Sequence, residues 1–220
     1  NMSYGVRLEV WGDFACFTRP ELKVERFSYP IITPSAARGI LEALFWHPGL
    51  RWIIDKIYIL SEIQYTNIRR NELKAKISAS NVLSFAAKGE GELYQSTKDD
   101  IQQRASTVLK DPRYIIEAHF EMTEHANPSD NPGKFREIFL RRARKGQCYH
   151  MPYLGCREFP AHFRLYEEES IAAAYHGETR DLGLMLYDID YSDSNNLRPI
   201  FFHAQLTNGV LDLRDCEVYC

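Results

Sequence analysis

Hydrophobic and polar residues alternate close to the start of the chain. Over residues 4–17, Val6, Leu8 and Val10 are apolar, and charged residues stand between them. A period of two is typical of a strand that buries one face. Gly12 interrupts the run, and an isolated glycine in a strand indicates a bulge or the close approach of another backbone. The pattern therefore predicts a long first strand with such an irregularity at Gly12.

A helix is predicted to begin at Pro34. Thr33 is suited to cap its free N–H groups, and proline is favourable at the first helical position. The helix must end near His47, because Pro48 and a glycine follow. One face of this helix is apolar and is formed by Ala36, Ile40, Leu41, Leu44 and Phe45.

Further strands are predicted on both sides of a weakly patterned insertion. Residues 51–70 are rich in isoleucine, a branched residue that suits strands. Residues 113–122 alternate, which places Glu117 and His119 on the less buried face of a strand. Between these segments, residues 78–103 show little periodicity and several small residues, as expected of a mobile insertion.

A second helix is predicted between Asn131 and Gly146. Asn131 can cap its first turn, a proline follows at the first helical position, and Gly146 is suited to end it. Phe135, Ile138 and Phe139 form one apolar stripe with helical spacing. The other residues are strongly basic: Lys134, Arg136, Arg141, Arg142, Arg144 and Lys145, against Glu137.

A loop and several strands complete the chain. Residues 159–165 alternate after the loop, and 184–191, 200–206 and 210–213 are the last strand candidates. The order over residues 1–166 is strand, helix, strand, strand, helix, strand, with the insertion at about 78–103. This βαββαβ order predicts an α+β, ferredoxin-like or RRM-like domain. Residues 167–220 are expected to form a small antiparallel β-domain at the C-terminus.

Composition narrows the class of protein. The chain has 220 residues, 45% of them hydrophobic, and a net charge of −3, so it is globular and is not a histone-type binder of nucleic acid over its whole surface. The odd cysteine count, five, and the lack of a signal peptide or of an apolar run of about 18 residues predict a cytoplasmic protein with reduced thiols and no membrane contact. The spacing of Cys148, His150 and Cys156 fits no common zinc site, so neither a metal nor another cofactor is expected.

Concentrated basic residues in a slightly acidic chain indicate a local surface for a polyanion. For the helix arginines the alternative is a solvated face, for Arg38 an ordinary ion pair, and for the segment with Arg69 a hairpin end. Arg38 lies at the beginning of the first helix, where free N–H groups favour anions. The candidate contacts with phosphates or bases are Arg38, Arg69, Arg70, Arg141, Arg142, Arg144, Lys145, Tyr149 and Tyr153.

Several blocks together resemble one family. They are PSAARGILEALFWHP (34–48), IDKIYIL (54–60), YTNIRRNE (65–72), LKDPRYIIEAHFE (109–121), RRARKGQCYHMPYLGCREF (141–159) and DLGLMLYDID (181–190). The chain is similar to the type I-C CRISPR repeat-processing endoribonucleases, the d subtype of the fifth Cas subunit in the RAMP superfamily. The resemblance covers most of the chain and implies a ferredoxin-like domain with a glycine-bearing loop before its last strand.

The resemblance also implies a function. The protein would bind and cleave the repeat stem-loop of precursor CRISPR RNA without a metal ion, leaving a 2′,3′-cyclic phosphate. It would then stay on the 5′ handle in the interference complex with the other Cas subunits. The resemblance further implies that the protein could bind double-stranded DNA without sequence preference, as some members of the family do.

Metal-free cleavage needs a base for the 2′-OH proton, a cation for the charged phosphorane and an acid for the leaving oxygen. The resemblance places a tyrosine, a lysine and a histidine at Phe45, Lys134 and Phe135, so only Lys134 matches. Phenylalanine cannot move a proton. Three alternatives follow: His47 transfers protons; or His150 or Tyr149 does; or Lys134 and nearby arginines act by positioning and electrostatics, with His119 in reserve.

Two hypotheses of different classes result. In the first, the chain is a repeat-specific endoribonuclease. In the second, it is a non-catalytic subunit that caps the RNA handle, supports assembly and also grips duplex DNA. The phenylalanines at positions 45 and 135 favour the second hypothesis more than the family resemblance does.

Overall fold

The structure, a computed structural model, describes residues 5–22, 25–89, 93–94, 96–193 and 196–220. This part of the chain contains three helices: α1 (Pro34–Leu44), α2 (Ala79–Lys88) and α3 (Pro132–Arg144). Its strands are β1 (Val6–Trp11), β2 (Phe14–Ala15), β3 (Arg26–Phe27), β4 (Leu50–Ile59), β5 (Tyr65–Leu73), β6 (Ile101–Lys110), β7 (Arg113–Met122), β8 (His162–Leu165), β9 (Thr179–Asp190), β10 (Arg198–Thr207), β11 (Val210–Asp212) and β12 (Val218–Tyr219). Within these residues no helix is long and apolar enough to cross a membrane.

Most of the strands join one antiparallel sheet. Its neighbours follow the order β12-β10-β11-β4-β7-β1-β8, and β9 pairs with β10. A smaller sheet has the order β2-β6-β3, with β5 beside β6. The described part of the chain combines three helices with two antiparallel sheets, which confirms the predicted α+β class.

The chain divides into two compact units. The first is Asn1–Thr66 with Thr107–Cys220, and the second is Asn67–Ser106. The second unit holds α2, which has no buried residue, and the predicted insertion 78–103 lies inside it, although residues 90–92 and 95 are outside the described part.

The last strands lie where the sequence predicts them. β9 and β10 form a long hairpin, and β11 follows after the turn at Asn208. Leu211 of β11 lies opposite Ile57 of β4, so β11 lies next to β4 in the large sheet. The division of the chain near residue 166 into two domains stays a prediction.

Helix α1 begins as predicted and ends slightly earlier. The hydroxyl of Thr33 accepts a hydrogen bond from the N–H of Ala36, 3.3 Å away. At the other end, Phe45 is already extended. The carbonyl oxygens of Leu44 and Phe45 accept side-chain hydrogen bonds, from Arg142 at 2.7 Å and Trp52 at 3.0 Å. These bonds satisfy carbonyls that the end of a helix leaves without partners, so the helix can stop before Phe45.

Helix α3 is confirmed at both ends. The side chain of Asn131 accepts a hydrogen bond from the N–H of Lys134 at 2.8 Å, and Gly146 follows the helix with a positive φ of 63°. Phe135 and Phe139 of the predicted apolar stripe are buried. Their rings contact aromatic side chains of β4 and β7, namely Trp52 and Phe120. This packing holds α3 on one face of the sheet.

The other face of β7 is more buried than predicted. Glu117 was expected on a less buried face, but only 3% of it is exposed. Its carboxylate accepts hydrogen bonds from Arg7 at 2.7 Å and Tyr58 at 3.3 Å. Arg7 lies directly opposite Glu117 in the sheet. The prediction was wrong because charged side chains on neighbouring strands cover one another, and a charge can be buried when it is paired.

Candidate active site

Two helices of the first unit, α1 and α3, meet near the end of α1. Phe45 follows the helix directly, and Phe135 lies in the first turn of α3. Their rings meet edge to face with centroids 5.6 Å apart, and both residues are buried. These are the positions where the resemblance places proton-transferring residues. In this chain they form part of the core, and neither ring can exchange a proton.

His47 packs against this pair of rings. Its imidazole centroid lies 4.8 Å from that of Phe135. The backbone N–H of Gly49 donates a 3.0 Å hydrogen bond to Nδ1 of His47. Because an amide N–H can only donate, Nδ1 holds the lone pair, and the proton of the neutral ring lies on Nε2. His47 therefore presents a donor at Nε2 and has its acceptor nitrogen already occupied.

Asp130 joins His47 to Lys134. The ammonium of Lys134 lies 3.0 Å from Oδ1 of Asp130, and Nε2 of His47 lies 3.8 Å from Oδ2. Asn127 donates to the same Oδ2 through its backbone N–H at 3.0 Å and its side-chain amide at 3.1 Å. The hydrogen bond from Lys134, followed by that from the backbone of Asn127, lowers the pKa of Asp130. The carboxylate is thus ionised and surrounded by donors.

Reasoning from the sequence missed Asp130. One signal was available, because Asp130 stands four residues before Lys134, the spacing at which opposite charges meet on a helix. The pairing with His47 had no such signal, since it depends on where the turn after α1 lies in the fold.

The loop with Tyr149 and His150 is attached to α1. The N–H of Tyr149 donates to the carbonyl of Ala43 at 2.8 Å, while its side chain is 89% exposed. Nδ1 of His150 lies 3.3 Å from the carbonyl oxygen of Met151. A carbonyl can only accept, so Nδ1 carries the proton and Nε2 holds the lone pair. His150 is exposed, and in this tautomer its Nε2 can accept a proton.

Two glycines, Gly155 in this loop and Gly12 after β1, allow the loop and the segment that follows β1 to approach closely. Gly155 has a φ of +85°, and a Cβ there would lie 2.1 Å from the carbonyl oxygen of Cys16. A Cβ on Gly12 would lie 2.9 Å from the carbonyl oxygen of Pro160. The predicted close approach at Gly12 is confirmed. Only glycine allows these contacts, and they fix the loop that carries Tyr149 and His150.

Arg38, His150 and Tyr153 line one groove of about 510 Å³ that runs along α1 from Thr33 to Glu42. Arg38 is paired there: its two terminal nitrogens both contact the carboxylate of Asp188, one of them at 3.0 Å. Its Nε lies 3.6 Å from Glu42. The groove therefore gathers two predicted contact residues, Arg38 and Tyr153, and one predicted catalytic residue, His150, although carboxylates hold the guanidinium of Arg38.

The basic residues of α3 have different surroundings. Arg141 and Lys145 are exposed, and in the described part of the chain their side chains make no hydrogen bond or ion pair. Arg144 pairs with Glu167 at 2.7 Å. Arg142 donates to the carbonyl of Leu44, and its guanidinium lies 5.4 Å from the centre of the Phe45 ring. Arg141 and Lys145 are the residues of this group whose charges remain available to a ligand.

The remaining candidates lie elsewhere. In the second unit, Arg69 is exposed on β5, and Arg70 donates to the hydroxyl of Ser106 at 3.1 Å. In the first unit, Nδ1 of His119 lies 2.9 Å from both carboxylate oxygens of Asp55. Phe120, the next residue along β7, contacts α3, so His119 points to the opposite face of the sheet. In the described residues no three His, Cys, Asp or Glu side chains form a group that would hold a metal ion.

Comparison with known proteins gives a consistent result. Residues 5–214 match the Cas5d model of the family described as CRISPR-associated protein (Cas_Cas5). The chain is 52% identical over 217 residues to the CRISPR pre-crRNA endoribonuclease Cas5d of Mannheimia succiniciproducens, covering 96% of each protein. It is 38% identical over 225 residues to the protein of the same name from Thermus thermophilus, covering 94% of this chain and 90% of that one. A crystal structure of a CRISPR-associated protein has a similar fold, with a TM-score of 0.71 at 22% identity over 98% of this chain and 96% of the other.

Proposed function

Because the chain belongs to the Cas5d family of CRISPR-associated proteins, we propose that it is an endoribonuclease that cleaves precursor CRISPR RNA. Two relatives carry the name pre-crRNA endoribonuclease, and the chain covers at least 90% of each. One structural observation carries the proposal: the ammonium of Lys134 and Nε2 of His47 reach the same carboxylate, at 3.0 Å and 3.8 Å. Two hydrogen-bond donors at one place suit a reaction that develops negative charge on a phosphate.

The fold proposed for this activity is ferredoxin-like. The strand order β4-β7-β1-β8 in the large sheet supports it, with α1 between β1 and β4 in the chain and α3 between β7 and β8. In this arrangement α1 and α3 pack against the sheet and against each other, and Phe45 after α1 meets Phe135 in the first turn of α3.

In the proposed reaction the 2′-OH of the RNA attacks the adjacent phosphorus. Nε2 of His150 accepts the 2′-OH proton, since Nδ1 faces the carbonyl of Met151 and Nε2 makes no hydrogen bond in the described part of the chain. Lys134 and the Nε2–H of His47 donate to the equatorial oxygens of the phosphorane. The 5′-oxygen leaves and takes a proton from solvent, and a 2′,3′-cyclic phosphate remains. The RNA itself supplies the nucleophile, so metal independence is part of the proposal.

Binding of the repeat stem-loop rests on other residues. Arg141 and Lys145 are suited to phosphate contacts because their charges are exposed and not engaged by acids in the described part of the chain. The exposed ring of Tyr149 is suited to stack on an unpaired base beside the stem. We further propose that the protein remains on the 5′ handle and assembles there with other Cas subunits.

A second candidate function is a non-catalytic subunit that caps the RNA handle and grips duplex DNA. The buried contact between Phe45 and Phe135 favours it, since the chain lacks proton-transferring groups at those two positions. The exposed charges of Arg141 and Lys145 suit the phosphates of either nucleic acid.

One assay separates the two functions. The purified protein is incubated with its repeat hairpin in EDTA, alongside the same RNA with a 2′-deoxy group at the scissile position. We expect cleavage of the all-ribose RNA, a cyclic phosphate on the product, and no cleavage of the deoxy control. An all-ribose hairpin that stays intact at stoichiometric protein, both in EDTA and with Mg²⁺ in place of EDTA, would leave the non-catalytic function. Cleavage that EDTA abolishes would contradict metal independence alone.

A further inference from the structure

Asp130, in the turn before α3, has a carboxylate that is almost inaccessible to solvent although the residues around it in the chain are exposed. The side chain of Asp130 is 4% exposed, whereas its neighbours on either side in the chain are not buried. Its two oxygens accept three hydrogen bonds, one from Nζ of Lys134 and two from Asn127, and Nε2 of His47 lies 3.8 Å from Oδ2. The donors cover the carboxylate and so separate it from solvent.

Lys134 and His47 are more exposed to solvent than the Asp130 carboxylate that they face. The side chains of Lys134 and His47 are 48% and 26% exposed, against 4% for the carboxylate between them. A phosphate that approaches from solvent would therefore meet the ammonium and the imidazole first. Asp130 lies behind them, in a position to orient both groups without contacting the substrate.

We infer that Asp130 is a positioning residue that holds Lys134 and His47 in the geometry for cleavage, an inference that rests on the proposed function. A lysine side chain has four rotatable bonds, and the loss of rotamer entropy opposes its fixation in one place. A buried anion at 3.0 Å selects the rotamers that point at it. Gly49 bonds Nδ1 of His47 and Phe135 packs against its ring, and the anion faces the remaining nitrogen, Nε2, at 3.8 Å.

The competing interpretation is that Asp130 merely stabilises the turn. Its Oδ2 accepts two hydrogen bonds from Asn127, as a structural residue in a tight turn does. Asn127 therefore provides the matched control. Asn127→Ala removes a side-chain contact to the carboxylate but keeps the charge that faces Lys134 and His47. Asp130→Asn keeps the size of the side chain and removes that charge.

The experiment measures single-turnover cleavage, RNA affinity and thermal unfolding for both variants. We expect Asp130→Asn to slow cleavage by about tenfold to a hundredfold, because small misplacements of catalytic groups have effects of this order. Its affinity for the uncleavable 2′-deoxy hairpin should stay within about threefold of the unmodified protein, since the carboxylate does not contact RNA. Asn127→Ala should cleave at close to the original rate.

Two outcomes would overturn the inference. If Asp130→Asn cleaves as fast as the unmodified protein or faster, the carboxylate does not position the donors. If both variants lose rate in proportion to their lost thermal stability, Asp130 is a structural residue of the turn. The contact between Asp130 and Lys134 can also be measured without any cleavage, by NMR titration of the Asp130 carboxyl group. Lys134→Met should raise its pKa towards the usual value, because Lys134 is the main cause of the lowering.

The titration separates failure of this inference from failure of the proposed function. If the unmodified protein does not cleave RNA but the pKa of Asp130 rises in Lys134→Met, the pair exists and the proposed activity is wrong. If the pKa of Asp130 is the same in both proteins, the positioning contact itself is absent in solution, whatever the activity.

Discussion

The rings of Phe45 and Phe135 meet edge to face at the junction of α1 and α3, with their centroids 5.6 Å apart. Family resemblance places a tyrosine and a histidine at these positions, yet here they form one apolar contact that continues to Phe120. His47 lies on the exposed side of this contact. The two phenylalanines thus belong to the core, and the groups that we propose act on a phosphate lie beside them.

The first prediction concerns the stability of this junction. Phe135→Ala should lower the free energy of unfolding by about 3–5 kcal/mol, because it removes a fully buried ring and leaves a cavity between α1, α3 and the sheet. Urea unfolding measures the change. Phe27→Ala is the control, since Phe27 is 37% exposed and should cost much less. Equal losses in the two variants would mean that Phe135 is not part of the core.

The second prediction concerns the role of His47. With Nδ1 occupied by Gly49, we propose that His47 acts through its Nε2–H as a donor and not as a base. His47→Gln keeps a donor near the position of Nε2, whereas His47→Ala has none. We expect His47→Ala to slow cleavage by about 10²–10³-fold, as the loss of one oxyanion donor does, and His47→Gln to retain clearly more activity. Equal losses in both variants would indicate that His47 transfers a proton.

The third prediction concerns the base. His150→Gln should slow cleavage by about 10²–10⁴-fold, because it removes the lone pair at Nε2 that we propose accepts the 2′-OH proton. Tyr149→Phe keeps the exposed ring and removes only the hydroxyl, so it should cleave at nearly the original rate. Single-turnover rates at saturating protein measure both. The opposite order of effects would assign the proton transfer to Tyr149.

Local signals in the sequence were sufficient for the helices and most strands. Thr33 and Asn131 cap the first turns of α1 and α3 as predicted, because a cap depends on residues only three positions away. The burial of Glu117 was not predictable in this way. It depends on Arg7, a residue 110 positions away that only the sheet brings opposite it.

The candidate site was only partly predictable, because some of its contacts also join residues that are distant in the sequence. The sequence indicates Lys134, His47 and His150 as chemistry-bearing residues, but not which nitrogen of each imidazole is free. That depends on Gly49 and Met151, whose backbone groups set the two tautomers. Nor could the sequence distinguish the basic residues of α3, since their roles depend on the neighbouring α1 and on the acids near them.

The fourth prediction concerns these basic residues. Arg141→Ala should weaken RNA binding and reduce the slope of log affinity against log salt concentration by about 1, as the loss of one phosphate contact does. Arg142→Ala should instead lower the free energy of unfolding by about 1–3 kcal/mol, because the carbonyl of Leu44 loses its donor. Filter binding at several salt concentrations and urea unfolding measure the two effects. If Arg142→Ala changes the salt slope and leaves stability unchanged, Arg142 contacts RNA and does not hold α1.

The fifth prediction concerns the pH dependence of stability at Asp130. The hydrogen bond from Lys134 lowers the pKa of the folded carboxyl below its usual value of 3.8. Between the folded and unfolded pKa values the unfolded chain binds more protons, so stability rises with pH in that window and the contribution is complete above about pH 5. As pH falls through the folded pKa, the contribution is lost. The gap in unfolding free energy between the unmodified protein and Asp130→Asn should therefore be widest above about pH 5 and should shrink below pH 3.8.

Urea unfolding at a series of pH values measures this gap, and Glu124→Gln is the control. Glu124 lies in the same loop, but its side chain is 87% exposed, so its substitution should give a small difference with little dependence on pH. If the difference in unfolding free energy between the unmodified protein and Asp130→Asn stays constant across the acid range, the ionised carboxylate is not stabilised by Lys134 in the folded protein. The positioning contact would then be too weak to hold the lysine at the proposed phosphate site.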